Sequence, residues 1–420
     1  MNYIYILFVL IFMILLVRRK IDFLSIGVVC FILYTIPCLF KETYIVSDSG
    51  FYYYSLINDE TYLCVFLQML VIVFFLFKED YYKNKLYSIS TIEYKSNLSF
   101  LYLVAIIADC FLLNDLSNIG IGRFFSTVTK SELLDELSLG FSLFLWGDIV
   151  ALIFAIKNYK LGLIILSLPV VLFSVVLGSR AYIALVLVCL LVVKQKTLQN
   201  KRIPITNIKY LFVGIFSIFF LMLYKKIFVA VRSLDYIFFQ KLITGHGFGD
   251  LFASSLSIGE FRCVFSLYDY TIFSELSLPF EDFIARILSF IPTLGDILGA
   301  RYPIRYSKLV VKIFDSTYGL ASNFWAETMA MGGPIFLVFI TFIWLTCLQK
   351  ANTFLIKNNI VSTYYIVFAA WLSFYIHRLD WVQISGLFKI LVFFIVLNYI
   401  WIYILKLKIY SKNNIFIKNR

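Results

Sequence analysis

Eleven apolar runs constrain the fold of this chain more than any other feature. A helix crosses a hydrocarbon layer of about 30 Å with roughly 20 residues. The runs lie near residues 3–17, 22–40, 61–77, 98–113, 139–156, 161–177, 181–193, 208–224, 320–347, 360–376 and 384–405. The 420 residues are 61% hydrophobic and 15% charged, whereas a soluble domain is about 25% charged. A soluble fold could not bury this much apolar surface, so we predict an all-α polytopic membrane protein with about 11 transmembrane helices.

Basic residues predict how the chain crosses the membrane. Alternate loops and the C-terminal tail carry 21 Lys and Arg residues but only four acidic residues. Cytoplasmic loops are enriched in Lys and Arg, so these loops are expected inside. The N-terminus is then outside and the C-terminus cytoplasmic. Because the net charge of +12 is explained by these flanking residues, it does not indicate nucleic-acid binding.

The non-spanning segments predict a cap on the outer face of a single integral membrane domain, residues 1–420. The longest, 225–319, is rich in Phe, Leu, Ile and Tyr, so an ordered cap of short helices is expected. Pro279, followed by Glu281 and Asp282, indicates a helix start and an amphipathic helix at the interface. Residues 114–138 predict a smaller outer-face helical segment, and the Tyr- and Asp-rich residues 41–60 an outer loop.

Arginine is distributed unlike lysine. Eight of the 12 Arg residues lie on or near the predicted outer side: Arg123, Arg180, Arg232, Arg262, Arg286, Arg301, Arg305 and Arg378. Topology requires only positive charge and does not explain this preference. The guanidinium fork binds phosphate or carboxylate through two hydrogen bonds. The set therefore predicts an anionic ligand at the outer face, although an ion pair with a nearby carboxylate would explain any single Arg equally well.

Three of these arginines are candidates for binding a diphosphate. Arg180 follows Gly178 and Ser179 at a membrane boundary, where a charge is costly unless it is functional or reaches the headgroups. Arg301 and Arg305 form a dense basic stretch with Lys308, which would clamp a pyrophosphate or attract anionic lipid headgroups.

Two further segments contain candidate catalytic or binding residues. Glu327 lies in the outer end of the ninth run, where it would act as a general base, orient a sugar hydroxyl, or form a structural pair with an Arg. The turn His377-Arg378-Leu379-Asp380 would bind a phosphosugar, and its alternative is an Arg378–Asp380 pair. The two histidines of the chain are too far apart in sequence to indicate a metal site.

Three of these segments together resemble the bacterial O-antigen (Wzy-type) repeat-unit polymerases. Gly178-Ser-Arg-Ala-Tyr182 is similar to the Gly-Ser-Arg at the start of a span in that family. Ala326-Glu-Thr-Met-Ala-Met-Gly-Gly-Pro334 is similar to the segment that enters the span after the large loop. His377-Arg378-Leu-Asp380 is similar to the Arg-containing turn before the final span. The order, the topology and the single large outer loop also match.

The resemblance implies a GT-C-like, metal-independent glycosyltransferase without a cofactor, in the bacterial cytoplasmic membrane. Its substrates would be undecaprenyl-diphosphate-linked oligosaccharides, and a chain-length regulator protein would be a further partner. A hydroxyl of one repeat unit attacks the anomeric carbon of the growing chain, and undecaprenyl diphosphate leaves. On this basis Arg180, Arg301, Arg305, Arg378 and Asp380 bind the substrate or its diphosphate. Glu327 and His377 are the catalytic candidates.

Two other functions are consistent with parts of the sequence. An O-antigen ligase uses the same donor with a lipid A core acceptor, but its large loop typically carries a His motif, and here that loop has only His246. A flippase or other transporter of lipid-linked oligosaccharide would predict two related halves, charged residues in mid-span and short loops. The long loop, the absence of a repeat and the apolar span centres favour the polymerase.

Overall fold

The computed structural model describes most of the chain. The described residues are 1–19, 21–46, 52–77, 91–124, 133, 136–177, 179–197, 236–237, 240, 244, 259–299, 302–314, 322–355 and 359–418.

Helices make up most of the described residues. They are α1 (Asn2–Arg18), α2 (Phe23–Thr35), α3 (Pro37–Phe40), α4 (Asp59–Phe77), α5 (Thr91–Ile119), α6 (Ile121–Phe124), α7 (Leu139–Lys157), α8 (Leu161–Val176), α9 (Arg180–Thr197), α10 (Gly259–Phe273), α11 (Phe280–Leu288), α12 (Leu294–Ile297), α13 (Tyr306–Ile313), α14 (Phe324–Phe354), α15 (Ile360–Tyr375) and α16 (Trp381–Lys418). A 3₁₀ turn at Ile376–Arg378 separates α15 from α16.

Seven segments of the described chain are long and apolar enough to cross a membrane. They are Phe23–Phe40, Asp59–Phe77, Asn97–Ile119, Leu139–Lys157, Phe324–Phe354, Ile360–Arg378 and Trp381–Leu407. Three shorter apolar helices, Asn2–Val17, Leu161–Ser174 and Ala181–Val193, coincide with further predicted runs. The predicted run 208–224 lies outside the described residues. The chain is therefore an α-helical, multi-pass membrane protein, and the count of eleven spans stays a prediction.

The described part of the long segment 225–319 consists of short helices. Helices α10 to α13 all lie in it. The predicted smaller segment 114–138 begins differently, because α5 continues to Ile119. Asp115 stays inside that helix because its carboxylate accepts hydrogen bonds from the backbone N–H (3.1 Å) and hydroxyl (3.0 Å) of Ser138. The outer-face position of both segments stays a prediction.

A β-hairpin, which the sequence did not predict, lies within residues 41–60. Strands β1 (Glu42–Val46) and β2 (Tyr52–Leu56) are antiparallel, with Glu42 opposite Leu56. The buried carboxylate of Asp269 in α10 binds the residues that follow β2. Its Oδ1 accepts hydrogen bonds from the Thr61 hydroxyl (2.7 Å) and the Asn58 backbone N–H (3.1 Å). This long-range contact stabilises an arrangement that a local sequence pattern cannot specify.

The chain divides into two compact units. Unit 1 comprises Met1–Lys83, Ser257–Thr353 and Phe368–Lys389, and unit 2 comprises Asn84–Leu256, Phe354–Val367 and Ile390–Arg420. Within unit 2, the amide of Asn398 donates a hydrogen bond to the Asn97 side chain (3.1 Å), and the Trp401 indole donates to the Ser99 hydroxyl (2.9 Å). These bonds join α16 to α5.

Helix α14 is broken near its start, and the break shapes unit 1. Gly332 and Gly333 leave the helical conformation, and Gly333 has a φ of 68°, which an L side chain rarely adopts. Pro334 has no N–H for the carbonyl of Ala330. The backbone N–H of Leu278 donates to that carbonyl instead (2.8 Å). The chain just before α11 is thus held against the first two turns of α14, which contain Glu327.

Candidate functional site

Helix α11 directs apolar residues outward and one arginine inward. Phe280, Ile284 and Ile287 are exposed, whereas Arg286 is only 1% exposed. Pro279 precedes the helix, and Glu281 and Asp282 occupy its first turn, as the sequence predicted. The exposed stripe is apolar and the buried position charged, which is the reverse of a soluble surface helix and suits a helix whose outer face contacts lipid.

Arg286 uses its whole guanidinium group inside unit 1. Nε donates to Oε1 of Glu327 at 2.6 Å, the shortest of its contacts. Nη1 donates to the backbone carbonyl of Asp282 (3.1 Å), and Nη2 donates to the carbonyl of Ile304 (2.9 Å). Arg286 therefore joins α11, the segment before α13 and the start of α14.

Glu327 completes this connection on its other side. Its Oε2 accepts a hydrogen bond from the backbone N–H of Trp381, the first residue of α16, at 2.7 Å. The carboxylate is 0% exposed and lies between a guanidinium and a helix N-terminus, both of which stabilise negative charge. The Trp381 indole donates to the hydroxyl of Thr328 (3.1 Å). We refer to Arg286, Glu327 and Trp381 as the central triad.

Asp380 starts α16 through a reciprocal pair of hydrogen bonds. Its Oδ1 accepts from the backbone N–H of Gln383 (2.8 Å), and its own backbone N–H donates to the Gln383 side chain (3.1 Å), which is a capping box. Its Oδ2 accepts a longer bond from the Ser307 hydroxyl (3.5 Å). Burial raises the pKa of Asp380, and the Gln383 N–H and the positive charge of Arg305 oppose that rise.

His377 is buried among aromatic rings. Its ring stacks on Tyr34, with centroids 4.8 Å apart, and its Nδ1 accepts a hydrogen bond from the Trp325 indole at 2.9 Å. The neutral ring therefore carries its hydrogen on Nε2. Among the described residues, Nε2 has no hydrogen-bond partner. At 1% exposure, His377 presents an N–H donor that no substrate reaches in this arrangement.

The structure describes the side chains of only two of the four predicted diphosphate-binding arginines, Arg305 and Arg378. Arg305 is exposed, directly before α13, and its charge acts on Asp380. Arg378 is partly exposed, and its guanidinium carbon lies 5.7 Å from the centre of the Tyr375 ring. Arg180 is the first residue of α9 in unit 2, and its side chain lies outside the described structure. Arg301 lies outside the described residues altogether.

Unit 1 thus brings together five of the seven predicted residues: Arg305, Glu327, His377, Arg378 and Asp380. For Glu327, the structure shows the Glu–Arg pair that the sequence left open as the alternative. Both carboxylate oxygens are hydrogen-bonded and buried, so in this arrangement Glu327 holds other residues in place and does not face an acceptor hydroxyl.

Arg286 is the site residue that sequence reasoning missed. It appeared only as one of eight outer-face arginines, although the spacing carried a signal. Phe280, Ile284, Ile287 and Ile291 form one stripe of α11 and its extension, and Arg286 is the basic residue away from that stripe. The position of its partner, Glu327, 41 residues later, could not be read from the sequence.

The described chemistry of the site suits an anion more than a metal ion. Unit 1 also contains Arg305, Lys308 and Arg378, which are exposed or partly exposed. Within the described part of the chain, no group of three His, Cys, Asp or Glu side chains is placed to hold a metal.

Comparison with known proteins gives no match to a protein-family model, to a curated protein or to a solved structure.

Proposed function

We propose that this protein is a polymerase that joins undecaprenyl-diphosphate-linked oligosaccharide repeat units into O-antigen or capsular polysaccharide. It would act at the outer face of the bacterial cytoplasmic membrane, with eleven spans in a GT-C-like arrangement and no metal or other cofactor. The proposal rests on the three sequence motifs described above. One structural observation supports it most: the central triad holds the loop helices against the turn 376–380.

The central triad gathers charged groups that are distant in sequence. Arg286 binds the carbonyl of Ile304, and Ser307 bonds to Asp380, so the segment carrying Arg305 lies against the start of α16. Arg305 and Asp380 are then close enough for their charges to act on each other. The guanidinium of Arg305 is exposed and is suited to bind a diphosphate substrate.

In the proposed reaction, the hydroxyl of an acceptor repeat unit attacks the anomeric carbon of the donor. The bond from that carbon to the diphosphate oxygen breaks, and undecaprenyl diphosphate leaves with the electron pair. The proton of the attacking hydroxyl passes to the departing diphosphate. Arg305 and Arg378 of unit 1 would stabilise the developing negative charge. The sequence motifs assign the same role to Arg301 and Arg180. Glu327 would be a positioning residue, because it acts through Arg286 and Trp381. His377 would supply an N–H donor to the acceptor, which requires its aromatic surroundings to open.

The first test is made in the native host lacking the gene. Its surface polysaccharide is separated on a gel, and the deletion is complemented with wild-type protein, Arg305→Ala, Arg378→Ala or Arg180→Ala. Loss of one charged contact to a diphosphate should lower polymer formation by about 10- to 100-fold at equal protein level. Arg123→Ala is the matched control. Arg123 is also an exposed arginine predicted on the outer side, but it lies in unit 2 and forms an ion pair with Glu136 at 2.7 Å.

The products in the deletion strain distinguish the alternatives. Single repeat units on the surface anchor, with the ladder restored by wild type, support the polymerase. Long polymer that stays on undecaprenyl diphosphate and never reaches the core would establish a ligase instead.

A transporter gains some support from one structural observation. Asp148 lies at the middle of α7 and is buried, so the expectation of apolar span centres was wrong. If the deletion strain exports no repeat unit at all, the transporter explains the phenotype and the polymerase is overturned.

A further inference from the structure

A buried carboxylate in unit 2 belongs to no part of the site described above. Asp148 is the tenth of the 19 residues of α7 and is 0% exposed. Neither of its oxygens has a hydrogen-bond partner in the described structure. The other buried carboxylates named so far, Asp115, Asp269, Glu327 and Asp380, each accept at least two hydrogen bonds.

A second polar group from the neighbouring helix faces Asp148. Ser167 of α8 is also 0% exposed, and its hydroxyl approaches the carboxylate closely enough to act on it. Buried helical hydroxyls usually bond to a carbonyl one turn back, as Ser174 and Ser373 do here. The Ser167 hydroxyl makes no such bond among the described residues. It is available to accept a hydrogen bond from Asp148.

The described side chains packed around Asp148 supply no compensating positive charge. From α5, Asp109 adds a second, partly exposed carboxylate that acts on Asp148. From α9, Tyr182 contacts Trp146, two residues earlier on α7. No described Lys, Arg or His acts on the carboxylate. Ionised Asp148 would therefore be an unpaired charge in an apolar interior, next to another acid.

The helix is tightly packed at the residue before Asp148, and few oxygen ligands are available near the carboxylate. A methyl group built on Gly147 would lie 2.7 Å from a Val104 carbon and 2.8 Å from a Phe394 carbon. A sodium or calcium ion would need a shell of about six oxygen ligands. The side chains of Asp148 and Ser167 provide three oxygens, whereas a proton needs only one carboxylate oxygen and one acceptor.

We propose that Asp148 is a proton-binding site inside the helix bundle of unit 2, with the carboxylic acid donating its hydrogen bond to the Ser167 hydroxyl. When α5, α7 and α8 separate enough to admit water, the acid releases its proton to water and the carboxylate becomes hydrated. Proton binding is thereby linked to the packing of these helices. This role is independent of the polymerase reaction and of the residues assigned to it.

Infrared spectroscopy of the full-length protein in lipid nanodiscs tests the protonation directly. With ¹³C-labelled aspartate, wild type at pH 7.5 should show the carbonyl stretch of a protonated acid. The band should disappear in Asp148→Asn and persist in the matched control Asp109→Asn. It should be the same in sodium and choline chloride.

Two results would overturn the proposal. The first is a wild-type spectrum with no protonated aspartate at this pH, which needs no variant to be folded. The second is a band that appears only when sodium is removed, because that identifies a sodium site.

The pH dependence of unfolding provides a second readout. If the folded state holds one proton more than the unfolded state, stability falls as pH rises, and the equilibrium constant for unfolding increases about tenfold per pH unit near neutrality. Asp148→Asn should lose this proton-linked component, while Asp109→Asn should keep it. An identical pH slope in wild type and Asp148→Asn would contradict the proposal. If Asp148→Asn does not accumulate, Ser167→Ala should retain the band with its carbonyl frequency shifted, and an unshifted band would remove Ser167 from the site.

Discussion

Glu327 in unit 1 and Asp148 in unit 2 are both fully buried carboxylates in helices that can cross a membrane, yet their surroundings differ. Glu327 has a guanidinium on one oxygen and the first N–H of a helix on the other. Asp148 has a neighbouring hydroxyl and a second acid, and neither of its oxygens has a hydrogen-bond partner in the described structure. An apolar interior accommodates a carboxylate either by pairing its charge or by removing it. The two residues exemplify these solutions, and the following substitutions test that difference.

The largest effect is expected where a buried charge loses its partner. Arg286→Ala leaves Glu327 buried without a cation and should destabilise unit 1 by about 3–5 kcal/mol. Arg305→Ala removes the same type of side chain from an exposed position and should change stability by less than about 0.5 kcal/mol. Thermal unfolding in detergent measures both. Equal stability of the two variants would mean that the Arg286–Glu327 pair does not contribute to the free energy of unfolding.

A double substitution sharpens this prediction. Arg286→Met combined with Glu327→Leu removes both charges and keeps apolar volume, so it should recover a large part of the stability that either single change loses. Additive losses would show that shape, not charge, is what the site requires.

Matched amide substitutions compare the two carboxylates directly. Glu327→Gln leaves Arg286 as an unpaired buried cation and should cost about 3 kcal/mol. Asp148→Asn is close in shape to a protonated acid and should cost about 1 kcal/mol or less at neutral pH. Both are measured by thermal unfolding at one pH. If the two amide substitutions are equally destabilising, Glu327 and Asp148 do not differ as a paired and a neutral carboxylate.

Helix packing next to Asp148 should tolerate little added volume. Gly147→Ala places a methyl group against Val104 and Phe394 and should cost about 1–3 kcal/mol. Gly295→Ala meets no atom within 4 Å, so its effect should be near zero. The comparison is made by the midpoint of thermal unfolding. A tolerated Gly147→Ala would indicate that α5, α7 and α16 pack less closely there than described.

The smallest effect is expected at the start of α16. Asp380→Ala removes the side chain that caps the helix and should cost about 1 kcal/mol, whereas Asp380→Asn keeps a good cap and should cost less. Because burial raises the pKa of Asp380, the neutral amide also avoids burying a charge. If Asp380→Asn is the more damaging variant, the electrostatic attraction between Asp380 and Arg305 contributes more than the cap.

The positions of most helices were predictable from the sequence, but the residues at which they begin and end were predicted less accurately. Ten of the eleven predicted runs coincide with described helices, because the length of an apolar run is a local property. Helix ends were less certain, as α5 shows. The predicted run ends near residue 113, whereas α5 continues to Ile119 and the carboxylate of Asp115 within it accepts hydrogen bonds from Ser138. The hairpin after α3 was missed because Asp269, more than 200 residues later, helps to fix the segment that follows it.

The candidate site was predictable as a set of residue types but not as a set of contacts. Glu327, His377 and Asp380 were selected from the sequence because ionisable residues near the ends of spans cost free energy unless they are paired or functional. The sequence offered an Arg pair as one alternative for Glu327 without identifying Arg286. The amphipathic spacing of α11 was correct, yet its apolar face is the exposed one and its buried face carries the charge.

The sequence by itself determined that this chain forms a bundle of membrane helices with ordered short helices before α14. Apolar length, the periodicity of 3.6 and the positions of proline are encoded within a few turns of chain. Only the tertiary structure decided which buried charge is paired and which is not. Arg286 and Glu327 are separated by 41 residues, while Asp148 and Ser167 lie on different helices. Electrostatic energy depends on distance and burial, and neither is a property of a local sequence pattern.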